Sequence, residues 1–303
     1  MSAPAVQPPS VPPPPVPPED RFKRILVVFD SPAHARTMLD SLATLANKLR
    51  ADLHGLYVED ANLTRLTEHI ETSAYRFVSF GPQPAEGGRE PQAAQVDMLA
   101  RAVRAQAAQS RRIVEEVTRL RHVRASFQVR QGNAVTEVLA AAQDGDLLVL
   151  PKSLAAGGEA AALAAVSPQI VEGKVGGVLF FNPAAVFGAG TMAVYDGSAA
   201  ADRALDAACD MAALDSRSLE VVMLSPRLNA VESWQNDIYN RVRTRGLDVA
   251  FLHLTETRVD QLCARSRRPQ AGLMVFGVGQ PLLEDASIET LFRRIDCSVL
   301  LVR

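Results

Sequence analysis

Two stretches of the chain carry the same order of apolar and polar positions. The first begins with an almost continuous apolar run, residues 24–29, which is followed directly by Asp30. Apolar residues at helical spacing come next, and residues 53–58 form a second apolar run. From Thr191 the same order returns, and its first apolar run ends just before Asp196. A buried strand, an amphipathic helix and a second buried strand produce this order, so each stretch predicts a β-α-β unit.

The two stretches align without a gap. Pairs of identical residues share an offset of 166 positions (196 − 30): Asp30 and Asp196, Leu39 and Leu205, Asp40 and Asp206, Leu53 and Leu219. A gapless register through a whole strand–helix–strand segment is hard to obtain by chance. The pattern therefore predicts a tandem duplication.

Further strands and helices are predicted after each unit. In the first half, strands are predicted at residues 125–129, 147–150 and 177–181, and helices at residues 96–120 and 135–142. In the second half, strands are predicted at residues 249–254, 273–276 and 299–302, and helices at residues 231–245, 258–266 and 288–294. Each half thus alternates strands and helices, which is typical of a doubly wound α/β domain with a parallel sheet of five strands.

One stretch of the first half has no counterpart in the second. Residues 61–97 interrupt the repeat, and within them residues 80–91 are rich in glycine and proline and predict a loop. Residues 62–74 are compatible with a helix. We expect an insertion specific to the first half, of a kind that is often functional or disordered.

The chain divides into an arm (residues 1–20), a first domain (21–183), a linker (184–190) and a second domain (191–303). The arm is proline-rich and lacks the features of a signal peptide, so we expect it to be disordered; a docking role for its proline run is the alternative. Because an apolar edge strand needs a partner or a cover, the last strands of the halves, residues 178–181 and 299–302, are expected to pair and form an internal pseudo-dimer.

Composition excludes several classes of function. The 303 residues are 48% hydrophobic and 22% charged, with a net charge of −2, which is typical of a globular protein and offers no electrostatic footprint for nucleic acid. No apolar run approaches the roughly 20 residues that span a bilayer, so we expect no membrane partner. The odd, widely spaced Cys209, Cys263 and Cys297 predict buried thiols in a cytoplasmic protein rather than disulfides or a zinc site.

The predicted helix at residues 96–120 is rich in arginine. Its arginines are Arg101, Arg104, Arg111, Arg112 and Arg119. They would form either an anion-binding face or a solvated surface that Glu115 and Glu116 partly neutralise, and we favour the solvated surface.

Three stretches resemble the universal stress protein family. Asp196-Gly197-Ser198 before a helix matches the aspartate that follows the family's first strand, and Asp30-Ser31-Pro32 matches it more loosely. Residues 127–134 (FQVRQGNA) resemble the family's strand and glycine turn, and residues 286–302 resemble its closing helix and strand. The chain resembles the tandem two-domain members of the family, and outside the arm and the insertion the resemblance covers most of its length.

The resemblance implies a strand order of 3-2-1-4-5 in each half and a nucleotide crevice between strands 1 and 4. Crossovers leave these two strands in opposite directions, so the sheet opens at their carboxyl ends, where ligands bind in open α/β sheets. Asp30 is therefore expected to meet residues 151–153, and Asp196 to meet residues 277–279.

Members of the family that bind ATP carry a glycine, two residues, a glycine, nine residues and then a glycine with a serine or threonine. Glycines let the backbone approach phosphate, and the hydroxyl lies at a helix N-terminus that favours anions. In the second half Gly277 is present, but Gln280 replaces the second glycine and only residues 281–285 precede Ala286-Ser287. Glu284 and Asp285 would place negative charge where phosphate would lie.

The first half departs further from this motif. Pro151-Lys152-Ser153 replaces the first glycine, and Gly157-Gly158 are displaced. Lys152 is the candidate phosphate contact here, and Ser167 is the candidate hydroxyl.

The candidate cofactor-binding residues are Asp30, Lys152, Ser167, Asp196, Gly277, Gly279 and Ser287. Each has a structural alternative, since aspartate at a strand-to-helix turn commonly caps the helix and glycine commonly forms turns. An intact site would take ATP or AMP, whereas the departures from the motif favour degenerate sites that need no cofactor.

The sequence shows no catalytic pair of carboxylates, no nucleophile with a histidine at a recognisable spacing, no metal cluster and no P-loop. We therefore favour a non-catalytic, stress-response regulatory or interaction protein that has a protein partner or self-associates. Two alternatives stay open: an adenine-nucleotide sensor or slow ATPase that uses one crevice, and another enzyme of the nucleotide-binding α/β class, such as an adenylating one.

Overall fold

The computed structural model describes residues 21–29, 32–60, 90–152, 175–184, 188–215, 217–255, 259–268, 271–285 and 294–303. The predicted arm, the predicted helix at residues 62–74 and the predicted loop before residue 90 lie outside these ranges. Asp30, Ser167 and Ser287 also lie outside them, as does most of the helix predicted at residues 288–294.

The strands and helices alternate in both halves. The first half contains β1 (Arg24–Phe29), α1 (Pro32–Leu49), β2 (Asp52–Asp60), α2 (Glu90–Arg121), β3 (Ala125–Gly132), α3 (Ala134–Ala141), β4 (Leu147–Pro151) and β5 (Gly177–Phe181). The second half contains β6 (Thr191–Tyr195), α4 (Ala199–Leu214), β7 (Ser218–Leu224), α5 (Leu228–Arg243), β8 (Asp248–Leu254), α6 (Val259–Ser266), β9 (Leu273–Gly277), α7 (Pro281–Asp285) and β10 (Ser298–Val302).

All ten strands belong to one sheet. Its order is β3-β2-β1-β4-β5-β10-β9-β6-β7-β8, so each half has the predicted order 3-2-1-4-5. Neighbouring strands are parallel within each half, whereas β5 and β10 pair in antiparallel fashion, with Phe180 opposite Val299 and Val178 opposite Leu301. The predicted junction through the last strands is confirmed, and it joins the two expected sheets into one.

The pairing register is the same in the two halves. Ile25 lies opposite Leu53 and Leu147, as Thr191 lies opposite Leu219 and Leu273. The first unit therefore keeps the offset of 166 residues (191 − 25). The third strands differ by only 124 residues (249 − 125), since Leu53 lies opposite Ala125 and Leu219 opposite Val249. The first half thus holds 42 additional residues (166 − 124) between its second and third strands.

Helix α2 begins earlier than its pattern predicts. It starts at Glu90, within the predicted 61–97 insertion, rather than near residue 96. The predicted insertion therefore extends too far toward the C-terminus. Proline was taken as a loop signal, but it is tolerated in the first turn of a helix, and Pro91 is the second residue of α2. A second difference is α7, a short helix where the sequence predicted no element.

The central strands carry the core. Strands β4, β5, β6, β9 and β10 are buried along their whole length, as expected for parallel strands that are covered on both faces. The edge strand β3 is largely exposed. Among the helices that the structure describes, none combines the length and the apolar character needed to cross a bilayer.

Candidate functional site

The turn after β6 forms one corner of the second-half crevice. Asp196 Oδ1 accepts hydrogen bonds from the Ser198 backbone N–H at 3.0 Å and from its hydroxyl at 2.6 Å. Ser198 Oγ in turn accepts from the N–H of Ala201 at 3.1 Å, which makes Ser198 the N-cap of α4. The structural alternative for Asp196 was therefore wrong in detail: Asp196 holds the capping residue and is not itself the cap.

A tryptophan covers this turn. Gly197 has a φ of +81°, and a Cβ atom at this position would lie 2.2 Å from Cζ2 of Trp234. The Trp234 ring also meets Tyr195 edge to face, with the ring centroids 5.5 Å apart. The indole on α5 is therefore packed directly onto the backbone next to Asp196.

The close approach of β9 to α4 requires Gly277. A Cβ atom there would lie 1.9 Å from the carbonyl oxygen of Ala200, so no larger residue fits without moving the helix. Gly279 has a φ of +91° and open space around it, which fits the predicted turn role. Arg203 links the turn to the helix, because its guanidinium donates to the carbonyls of Val278 and Ala199, each at 3.2 Å.

Gln280 closes the point at which β6 and β9 separate. These two strands pair as far as Ala193 opposite Val275. Just beyond, the fully buried Gln280 side chain donates from Nε2 to the carbonyl of Val194 at 3.0 Å and accepts from the N–H of Gly277 at 2.9 Å. The backbone donor at the first motif glycine is thus already satisfied within the protein.

The first-half crevice is built from different residues. Pro151 occupies the position of Gly277, because β4 and β9 differ by 126 residues (273 − 147). Lys152 follows it and is partly buried. Burial lowers the pKa of Lys152, and the neighbouring Cys297, Asp296 and Cys263 act in the opposite direction. All three of these neighbours belong to the second half, so the candidate phosphate lysine lies at the junction between the halves.

Ser110 takes the place of Trp234 in the first half. Helices α2 and α5 end in the same way: Val123 N–H donates to Thr118 at 3.0 Å, and Leu247 N–H donates to Val242 at 3.4 Å, 124 positions later (247 − 123). The same offset aligns Ser110 with the single tryptophan of the chain. Ser110 is fully buried, and its hydroxyl has no hydrogen-bond partner in the described part of the chain.

The two crevices face opposite edges of the sheet. Because β5 and β10 are antiparallel, the carboxyl ends of the first-half strands lie beside the amino ends of the second-half strands. The structure therefore brings Asp196, Gly277 and Gly279 together at the carboxyl ends of the second-half strands, and it places Lys152 at the opposite side of the sheet, at the carboxyl ends of the first-half strands.

The cysteines supply no reactive thiol. All three are buried and free, as their spacing predicted. Burial raises the pKa of Cys209 to about 11 and that of Cys297 to about 12, so neither is a thiolate near neutral pH. Within the described ranges, no group of three or more His, Cys, Asp or Glu side chains is placed to hold a metal ion.

The roles of Trp234 and Gln280 were not predicted from the sequence. Gln280 was recognised only as a departure from the glycine motif, and Trp234 was not singled out. Their signal in the sequence is weak, because one glutamine in a turn and one tryptophan in a helix have many common uses.

No family model matches the sequence. No curated protein matches it either. Solved structures with the same fold do exist, each about as long as this chain and 15% identical to it. A universal stress protein from Archaeoglobus fulgidus DSM 4304 has a TM-score of 0.60 and covers 94% of this chain and 98% of its own.

Two similar structures come from Pseudomonas aeruginosa. A putative universal stress protein from strain UCBPP-PA14 has a TM-score of 0.52 and covers 94% of each chain. A protein of strain PAO1 described as functionally unknown has a TM-score of 0.52 and covers 94% of this chain and 93% of its own. At this identity the likeness establishes the fold alone: the doubly wound α/β fold that these structures share.

Proposed function

We propose that the protein is a tandem universal-stress-type regulatory or interaction protein without catalytic chemistry, and that its second crevice takes no nucleotide. The observation that carries this proposal is the Gln280 side chain between Val194 and Gly277. A nucleotide phosphate at the motif would have to displace this side chain and leave the buried carbonyl of Val194 without a donor. An unsatisfied buried polar group costs about 1–3 kcal/mol, which the ligand would need to offset.

The Trp234 indole adds to this argument. It packs on Gly197, next to the aspartate that the family resemblance associates with the nucleotide. A ligand at this corner would have to move an aromatic ring that contacts both Gly197 and Tyr195. The side chains of Gln280 and Trp234 therefore fill the space that a ligand would need in the second half.

Duplication supports the proposal of an interaction protein. We take residues 21–183 and 191–303 as two copies of one module, because the strand register of their first units coincides at a single offset. The antiparallel β5–β10 pair uses strand edges that a single module would expose. The outward faces of the helices that cover the sheet then remain free to bind a protein partner or a second copy of the chain.

A nucleotide titration on the full chain tests the proposal. Trp234 is the only tryptophan, so its fluorescence reports directly on the second-half corner. We expect ATP and AMP to leave the emission of the wild type unchanged, and denatured protein to release no nucleotide. Stoichiometric binding that quenches Trp234 and is lost in Asp196→Ala would refute it.

A second candidate function is an adenine-nucleotide sensor or slow ATPase that uses the first crevice. The observation that favours it is Ser110, because a hydroxymethyl group stands where the second half has an indole ring. Labelled ATP or AMP would then bind once per chain without changing Trp234 fluorescence. Ser110→Trp should abolish that binding, whereas the matched Trp234→Ser should not. ATP hydrolysis above background, lost in Ser110→Trp, would identify the ATPase form.

A further inference from the structure

A continuous series of ion pairs runs along one face of α4. Its members alternate in charge: Asp202, Arg241, Asp206, Arg245, Asp210 and Arg21. Successive contacts measure 2.9, 2.5, 2.7, 3.3 and 2.7 Å. The aspartates are spaced four residues apart, so they project from the same side of the helix.

Arg21 belongs to the other half of the protein. It lies just before β1, next to the fully buried Phe22, yet its guanidinium crosses to Asp210 in the second half. The side chains of Arg21 and Asp210 are only 20% and 5% exposed. Arg21 is also the first residue of the chain that the structure describes, so the start of the described fold is held by the second half.

The first half has no equivalent acceptor. At the offset of 166 residues, Thr44 takes the position of Asp210 (210 − 44). Among the described residues, the first half keeps one pair of the series, Arg121 with Asp40, which is half exposed. The Arg21–Asp210 contact therefore does not follow from the shared fold and belongs to one half alone among the described residues.

Among the three arginines of the series, Arg21 is the one that has a single acidic partner in the described part of the chain. Within the described ranges its contact is Asp210 alone, whereas Arg245 also holds Asp206 and Arg241 holds both Asp202 and Asp206. Loss of charge at Asp210 would leave Arg245 paired and Arg21 unpaired. We propose that the Arg21–Asp210 pair is a latch that fixes the start of the first half to the second half and opens when Asp210 is neutralised, while the ion pairs that Asp202 and Asp206 form stay closed.

Acidification is the natural trigger for this latch. Burial raises the pKa of Asp210, Arg21 and Arg245 oppose that rise, and Asp206 on the same helix adds to it. Asp210 therefore takes up its proton at a less acidic pH than an ordinary aspartate, and Arg21 then loses its ionised partner.

Trypsin digestion of the full chain tests the latch. Residues 1–20 contain no lysine or arginine, so Arg21 is the first tryptic site of the chain and release of residues 1–21 reports its opening. Asp210→Asn keeps the side-chain shape and removes the charge. We expect it to release this peptide about tenfold faster than the wild type, because cleavage follows the population of the locally opened state.

Asp40→Asn is the matched control. It removes the equivalent inner ion pair of the first half, and it should leave the release rate unchanged. Equal rates for the wild type and Asp210→Asn would overturn the latch.

A second measurement covers the case in which Asp210→Asn does not fold. Hydrogen exchange of the wild type, corrected for intrinsic rates and followed as the pH is lowered stepwise from about 7.5 into the acid range, should increase at residues 21–24 before it increases in β6. Protection that stays the same in both segments over this range, or that is lost in both together, would overturn the latch.

Discussion

Arg121 and Asp40 form an ion pair of 3.3 Å in the first half, and the equivalent residues Arg245 and Asp206 form one of 2.7 Å in the second. The aspartates differ by 166 positions (206 − 40) and the arginines by 124 (245 − 121), the offsets of the strands next to them. The same contact has thus been kept in both halves although the chain between its members differs in length by 42 residues (166 − 124).

The two pairs should differ in energy. Asp206 also binds Arg241 and is 28% exposed, whereas Asp40 is 46% exposed and is held by Arg121 alone among the ion pairs described. We expect Asp206→Ala to lower the free energy of unfolding by about 2 kcal/mol and Asp40→Ala by less than about 1 kcal/mol. Urea denaturation of both variants measures the difference. Equal losses would show that the second-half network adds nothing to the shared pair.

Replacing Gln280 should destabilise the protein strongly. Gln280→Ala leaves the buried carbonyl of Val194 and the buried N–H of Gly277 without partners, so we expect a loss of about 2–4 kcal/mol. Gln131→Ala is the control, because Gln131 makes one exposed hydrogen bond, to Glu59, and should cost no more than about 0.5 kcal/mol. A similar small loss in both variants would mean that Gln280 does not seal the crevice. Denaturation in urea gives both values.

Gly197 and Gly279 form a matched pair of glycines with positive φ. Gly279→Ala meets no atom within 4 Å and should cost about 1–2 kcal/mol from the backbone alone. Gly197→Ala adds a clash with the Trp234 ring and should cost about 2–4 kcal/mol. Thermal denaturation compares the two, and a blue or red shift of Trp234 emission in Gly197→Ala alone would locate the disturbance. If the two variants lose the same stability, the indole does not cover the turn.

His54 should make stability depend on pH. Burial lowers the pKa of His54 below its usual 6.5, with Arg24 as the next cause. The unfolded chain therefore binds the proton more readily than the folded protein. The contribution of His54 to stability is fully present above about pH 6.5 and is lost as the pH falls through the lower folded value. His54→Gln should flatten this part of the curve of unfolding free energy against pH, and an unchanged slope would contradict the assignment.

The periodicity of the sequence was sufficient to predict most of the elements. Apolar runs located the strands, and the apolar character of residues 178–181 and 299–302 predicted that these two edges would pair, because exposed apolar edges are unfavourable. Boundaries were less accurate. The start of α2 at Glu90 was missed, since the proline and glycine residues around it are typical of loops as well as of first helical turns.

The candidate site was predicted only in part. The sequence placed Asp196, Gly277 and Gly279 at the same crevice, because the carboxyl ends of neighbouring parallel strands meet at one edge. The capping role of Ser198 rather than Asp196 depends on backbone geometry within three residues of the turn. Lys152 was assigned to a crevice of its own half, and nothing in the sequence indicated that the groups that act on its pKa, Cys297, Asp296 and Cys263, belong to the second half.

The repeat in the sequence determined that the protein is built from two like α/β halves, because the order of apolar and polar residues dictates which segments can be buried strands. Only the tertiary structure decided how the crevices differ. The carbonyl that Gln280 seals lies 86 residues away along the chain, and the turn that Trp234 covers belongs to a different strand and helix. Such contacts depend on distances between distant segments, which local pattern does not contain.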